Sequence, residues 1–321
     1  GTSAGLPDIK GIEKGHFSTD ELFLMDEIPE SILVFGAGYV EIEMASILNA
    51  FGCKVTLAFD GARILSTEDG DTSQRLSATL REQGIEILPR VSLNSVKKSR
   101  TGFQVTLAGK EETLVEVKRI LTSIREPNTK EIGLESAGVS LDEKGFIRVD
   151  EALKTSVDGI YAIGDVTGGW QLSFAATMMG VVAAENAMGQ ESSFNARLVP
   201  RGLNTNPEAA AVGLSEEEAE QLDYEVEVGT FPMSINGLGV ARNELEGAVK
   251  IVSDARYGEV LGVHIVGSHA AELIWGASLA MQMEATVEDI ARTMVVHPTF
   301  SESITSASQD AMGWALYLPK R

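Results

Sequence analysis

The chain has 321 residues, 44% of them hydrophobic, which is enough to bury two or three compact cores when a domain typically holds about 100 to 150 residues. Its 47 acidic residues against 26 basic ones give a net charge of -21, a surface that repels nucleic acid and anionic lipid and excludes both as expected partners. No apolar run approaches the roughly 20 residues needed to span a bilayer, the opening residues have no leader-like pattern, and Cys53 is the only cysteine, so a cytoplasmic protein without an intrachain disulfide is expected.

The first clear pattern is the apolar run Ser31-Ile32-Leu33-Val34-Phe35, which breaks into Gly36-Ala37-Gly38 and then takes helical spacing over residues 39–51. A β-branched run at 54–58 completes a strand, turn, helix and parallel strand. The unit repeats with a helix at 71–83 and a strand at 85–88. Residues 103–107 and 114–117 read as a hairpin inserted before a strand at 120–123, and Pro127-Asn128 marks a segment boundary.

Short strands are expected at 146–149 and 159–163, ending in Gly164-Asp165, with a helix at 172–188. The last portion changes character. Alternating runs at 224–231, 247–253 and 260–266 predict antiparallel strands, and 270–283, 287–294 and 301–312 predict helices, so an α+β domain follows an α/β one.

Gly36 and Gly38, set between strand and helix, permit a tight turn whose backbone N–H groups approach a pyrophosphate at the positive helix end. The third small position of that fingerprint holds Glu41. A carboxylate about 4 Å from a phosphate opposes binding by up to ~4 kcal/mol at an effective dielectric near 20, unless the side chain turns into solvent, so NAD binding is expected to be weakened. Phe59 stands where a ribose-binding acid is expected, with Asp60 one place on as its substitute, and no arginine sits where a 2′-phosphate would lie; NAD is preferred over NADP.

Several motifs occur together and in order: Thr155-Ser156-Val157, Ile160-Tyr161-Ala162-Ile163-Gly164-Asp165, Val182-Ala183-Ala184-Glu185-Asn186, Asn206-Pro207-Glu208, Gly262-Val263-His264-Ile265-Val266-Gly267 and His297-Pro298-Thr299-Phe300-Ser301-Glu302. Over essentially its whole length the chain resembles the pyridine nucleotide-disulfide oxidoreductases, and among them those that oxidise dihydrolipoamide. The resemblance implies that Asp165, after Gly164, binds the FAD ribitol, and that the helix beginning at Leu172-Ser173 directs its N-terminus at the flavin pyrimidine edge. It implies that His297 shuttles a proton to a lipoamide-type dithiol and that Glu302 orients it. Tyr39, Val40 and Glu43 fall in the family's nicotinamide turn, Glu43 beside the nicotinamide itself. The segment 123–128 resembles a family loop that carries a glycine before the arginine, and here that glycine is missing.

The expected fold class is α/β: a Rossmann-like dinucleotide-binding domain with part of an FAD domain, followed by an α+β dimerisation domain. Residues 1–20 read as a crossing segment, 21–128 as the NAD-binding domain, 129–195 as the C-terminal part of the FAD domain and 196–321 as the dimerisation domain. The family's flavin-adenine segment and its Cys-x4-Cys pair are expected from outside these residues, so the isolated chain is expected to be inactive and FAD to be shared with that segment. The apolar positions Leu273, Ile274, Trp275, Leu279 and Met283 predict a homodimer. Three readings stay open: a component of such an enzyme, a catalytically degenerate dimeric relative without flavin, and a portion of one longer enzyme.

Overall fold

A computed structural model describes residues 1–319 and divides into two compact units. One comprises Gly1–Asp8, Ser18–Phe23 and Ser123–Ala196; the other comprises Ile9–Phe17, Leu24–Thr122 and the chain from Arg197 onward.

The larger unit contains a five-stranded parallel sheet in the order His16–Phe17, Arg119–Leu121, Ser31–Phe35, Lys54–Ala58, Glu86–Leu88. Its central strands are buried on both faces, with Ile32, Leu33, Val34, Val55 and Leu57 all at 0% exposure, which is why they read as continuous apolar runs. The helix Tyr39–Ala50 follows the glycine turn. The helix Gly70–Glu82 starts where the Asp69 side chain accepts the Asp71 N–H at 3.0 Å.

The inserted element is a three-stranded antiparallel meander, Ser92–Lys98, Phe103–Ala108 and Glu112–Val117, rather than a two-stranded hairpin. Its first strand escapes detection because the register shifts between Leu93 and Ser95, and a bulge interrupts the alternation that identifies a strand.

In the same unit a five-stranded antiparallel sheet runs in the order Arg201–Leu203, Ala209–Gly213, Val260–Val266, Ala248–Asp254, Val226–Pro232. The first two strands were not expected, since Ala209–Gly213 is mostly alanine and has little strand propensity; burial of every residue in it overrides that preference. The helices Ala270–Gln282 and Glu302–Ala311 pack on this sheet around Val249, Ile251, Val263 and Ile265. The second helix comes so close that a Cβ at Gly229 would lie 2.0 Å from the Ala307 carbonyl oxygen, a contact only glycine permits.

The smaller unit departs most from expectation. Residues 125–127, read as part of a loop, form the strand Arg125–Pro127, antiparallel to Thr2–Ala4. The strands expected at 146–149 and 159–163 shrink to single bridges, Leu141 with Ile147 and Lys154 with Tyr161. Gly145, Leu153 and Gly159 all adopt positive φ, and such frequent reversals stop a ladder from propagating. The helix Ser173–Ala187 buries Ala175, Met179, Val182 and Ala183 yet leaves Phe174, Met178 and Val181 exposed, so it is apolar on nearly every side. Among the described residues no helix is long and apolar enough to cross a membrane.

Candidate active and cofactor sites

The glycine turn sits at the C-terminal end of the central parallel strand, and the Gly36 N–H ties it to the next strand through the Ala58 carbonyl at 2.9 Å. Gly36 has φ +130, open to glycine alone. Glu41 does not turn into solvent. Its side chain is buried and folds back onto the turn, where a Cβ built at Gly36 would lie 2.6 Å from Glu41 Oε1 and one at Gly38 would lie 3.0 Å from Oε2. The space above the glycines that a diphosphate would need is therefore filled by a carboxylate, and as folded the turn does not fit the pyrophosphate of NAD.

The other residues of this segment separate. Val40 is exposed, and Asp60 stands in solvent just beyond buried Phe59. Glu43 Oε1 accepts the Asn204 backbone N–H at 2.7 Å and its side-chain amide at 3.0 Å. Tyr39 donates its hydroxyl to Glu68 Oε1. Burial and the neighbouring Glu68 carboxylate hold the Tyr39 phenol well above the usual tyrosine range, so it stays protonated and serves as a donor.

Glu68 also receives Arg201, Nε to Oε1 at 2.7 Å and Nη2 to Oε2 at 3.0 Å. Next to it, fully buried Asp69 takes Lys250 Nζ on both oxygens at 3.1 and 3.0 Å. His264 lies against this cluster. Its Nε2 faces the Leu214 carbonyl at 2.9 Å and must donate, which leaves Nδ1 as a buried lone pair without a partner. Burial lowers the His264 pKa, so the ring is neutral and Lys250 is the standing cation beside Asp69. None of Glu68, Asp69, Arg201, Asn204, Lys250 or His264 was singled out as a site residue; Lys250 and His264 each interrupt an apolar strand, and a single polar residue carries no periodic signal.

His297 and Glu302 do meet. Nδ1 of His297 lies 2.9 Å from Glu302 Oε1 and 3.2 Å from Oε2, while Thr299 donates its backbone N–H to Glu302 Oε2 at 2.9 Å. The carboxylate is thus anchored by the backbone and fixes the tautomer with the proton on Nδ1, leaving Nε2 of this exposed imidazole for chemistry.

In the smaller unit Asp165 Oδ2 accepts the Thr2 hydroxyl at 3.0 Å, and Arg125 Nε donates to that same hydroxyl oxygen at 3.1 Å. Leu172 gives no side-chain cap to the helix Ser173–Ala187, so its first N–H groups are left for another acceptor. Beside that end lies an open cavity of about 340 Å³ whose lining includes Gly164, Thr167, Trp170, Leu172 and Met179. The uncapped N–H groups are donors for a flavin edge and the Asp165 carboxylate is an acceptor for ribityl hydroxyls, with an apolar hollow beside the helix end, so the residues fit the group.

Cys53, the lone thiol, is 2% exposed, and burial pushes its pKa up to about 11, so it is a protonated core residue at neutral pH. Among the described residues no group of His, Cys, Asp and Glu could hold a metal ion.

Residues 1–180 match the family described as pyridine nucleotide-disulphide oxidoreductase, and residues 199–308 match the dimerisation domain of the same family. Dihydrolipoyl dehydrogenase of Thermus scotoductus is 39% identical over 309 residues, covering 95% of this chain and 67% of its own length. The enzyme of the same name from Bacillus subtilis is 36% identical, with 97% of this chain and 67% of its own length covered. Among solved structures, LpdA from Mycobacterium tuberculosis superposes with a TM-score of 0.87 at 29% identity, over 96% of this chain and 67% of that one. The flavoprotein disulfide reductase RclA from Escherichia coli, as its Cu(II) complex, gives 0.87 at 26% identity, over 96% and 70%.

Proposed function

Since the chain belongs to the pyridine nucleotide-disulphide oxidoreductase family, we propose that it forms the nicotinamide-domain and subunit-pairing portion of a flavin-dependent dithiol–disulfide oxidoreductase of the dihydrolipoamide dehydrogenase kind. In this reading residues 1–20 are the crossing segment, 21–128 the nicotinamide domain, 129–195 part of the FAD domain and 196–321 the dimerisation domain of a homodimer. The sole, buried cysteine cannot pair within the chain, so in this reading the reactive disulfide comes from residues beyond these 321.

The observation that carries the reading is the anchored His297–Glu302 pair. A lipoamide-type dithiol attacks a disulfide only as thiolate, so a base must remove its proton. His297 Nε2 takes that proton while Glu302 stabilises the imidazolium formed at Nδ1, and the exposure of the imidazole supports a role in a site completed by a second subunit. Bound FAD would accept the two electrons released as the dithiol closes. Asp165 would hold its ribityl chain, and the uncapped N–H groups at Leu172 and Ser173 would face its pyrimidine edge and stabilise negative charge there.

A second reading, a dimeric relative that has abandoned catalysis, is favoured by the position of Glu41. Native mass spectrometry with a visible spectrum, on protein purified from its source, separates the two. A yellow assembly containing the flavin-adenine segment, whose flavin is bleached when dihydrolipoamide is oxidised to its disulfide, supports the first. Colourless protein of this chain alone sinks it, as does tight FAD binding with lipoamide turnover by these 321 residues unaided.

A further inference from the structure

The glycine turn of this chain is filled from within. Its two glycines leave room above the backbone, and in the parent motif that room admits the diphosphate to the N–H groups of the turn and the first helical residues. Here Glu41 Oε1 lies so close over Gly36 that a methyl group on its α-carbon would collide with the carboxylate at 2.6 Å, and one on Gly38 would meet Oε2 in a tight contact of 3.0 Å. Glu41 is on the third residue of the helix Tyr39–Ala50 and is 9% exposed, so this is a packed position rather than one pose of a surface side chain. Gly36 in this chain therefore makes room for a side chain of the chain itself.

We propose that Glu41 acts as an internal anion that closes the pyrophosphate subsite, so that this chain does not bind NAD or NADP in the resting fold. The inference rests on the reading of residues 21–128 as a nicotinamide domain and concerns its occupant. Two effects act in the same direction. The carboxylate takes the volume the diphosphate needs, and it places negative charge where more negative charge would have to enter. The positive end of the 12-residue helix, which would otherwise favour a phosphate, already has an acidic group in its first turn. The surroundings do not depend on an empty turn. Tyr39 is held by Glu68, Glu43 by Asn204, and the Ala37 carbonyl by the Leu65 N–H at 2.8 Å. Removal of the Glu41 carboxylate alone would therefore open the subsite without unmaking the turn.

The test is titration of the full chain with NADH and with NADPH, followed by nucleotide fluorescence and calorimetry, so that no flavin and no turnover are needed. The unaltered chain should show no saturable binding up to millimolar nucleotide. Glu41→Ala keeps helix propensity and should bind at least about a hundredfold tighter, as loss of a like charge about 4 Å away at an effective dielectric near 20 implies. Glu41→Gln, which keeps the bulk and loses the charge, should fall between them. Saturable binding by the unaltered chain with the affinity of Glu41→Ala would overturn the proposal. So would an Ala variant that melts like the parent yet still binds nothing. Should Glu41→Ala fail to fold, Glu41→Gly decides on the same readouts. A colourless, companion-free protein would sink the enzyme reading above and leave this result standing.

Discussion

Glu68 and Arg201, 133 residues apart in the chain, meet as a two-point ion pair in the interior of the larger unit, with side chains 2% and 3% exposed. The pair joins the loop before the helix Gly70–Glu82 to the first strand of the antiparallel sheet, and through Tyr39 it reaches the glycine turn. Replacing a whole buried pair by well-packed apolar groups is often neutral, whereas removing one partner strands a buried charge.

Arg201→Met should therefore destabilise the protein by about 3 to 5 kcal/mol, measured by denaturant unfolding, because Glu68 loses its counterion in a dry setting. The double variant Glu68→Leu/Arg201→Met should recover most of that loss. A single variant as stable as the parent would show that the pair is not held as described.

The Asp69–Lys250 pair sets a pH window. Burial alone would raise the Asp69 pKa, but the Lys250 ammonium on both carboxylate oxygens and the Glu216 backbone N–H outweigh it and hold the carboxyl below its ordinary range. A depressed carboxyl contributes stability that is complete above its unfolded pKa, near ~3.9, and is lost as pH falls through the folded value. Lys250 is shifted the other way: burial lowers its pKa, but Glu216 and Asp69 outweigh that and raise it, so its contribution is complete below ~10.4 and is lost as pH rises through the folded value. Lys250→Met removes the standing cation, and acid unfolding followed by circular dichroism should then begin at higher pH than in the parent. An unmoved acid midpoint would refute the coupling.

In the flavin-loaded assembly, His297→Gln should slow the single-turnover reduction of the flavin by a lipoamide-type dithiol by about a hundredfold to ten-thousandfold, the usual range for a general base. Glu302→Gln should cost less, since the imidazole remains while its charged support is lost. Flavin content, read from the visible spectrum, should be unchanged in both. Flavin reduction at the full rate in His297→Gln would remove the imidazole from the proton path.

Trp275 is 69% exposed, Met283 72% and Leu279 46%, all on the helix Ala270–Gln282 or at its C-cap, in a region that matches a dimerisation domain. Light scattering should find the parent as a dimer. Trp275→Glu should convert it to a monomer, because an aromatic anchor covered on pairing is replaced by a charge that would have to be desolvated. A dimer unaffected by this change would place the pairing surface elsewhere.

Much of the larger unit could be read from the chain because its elements announce themselves locally. The strand Ser31–Phe35 is an unbroken apolar run, the helix after it keeps its spacing, and Val260–Val266 was located to the residue. The strand Ser92–Lys98 was hidden by its bulge, and Ala209–Gly213 by alanine. In the smaller unit, Arg125–Pro127 could not be recognised because its partner, Thr2–Ala4, lies more than a hundred residues away, beyond any local pattern.

The amino-acid sequence by itself determined the succession of α/β and α+β parts, the strand–turn–helix around Gly36 and Gly38, and the presence of a histidine and a glutamate five residues apart at 297 and 302. Those features rest on near neighbours, through side-chain periodicity and the backbone freedom of glycine. Only the tertiary structure decided that Glu41 folds onto its own turn, that Tyr39 answers to Glu68 and Arg201, and that Asp69 takes Lys250 across the unit. Rotamer choice and charge pairing depend on what the rest of the fold brings within a few ångströms, and sequence spacing does not specify that.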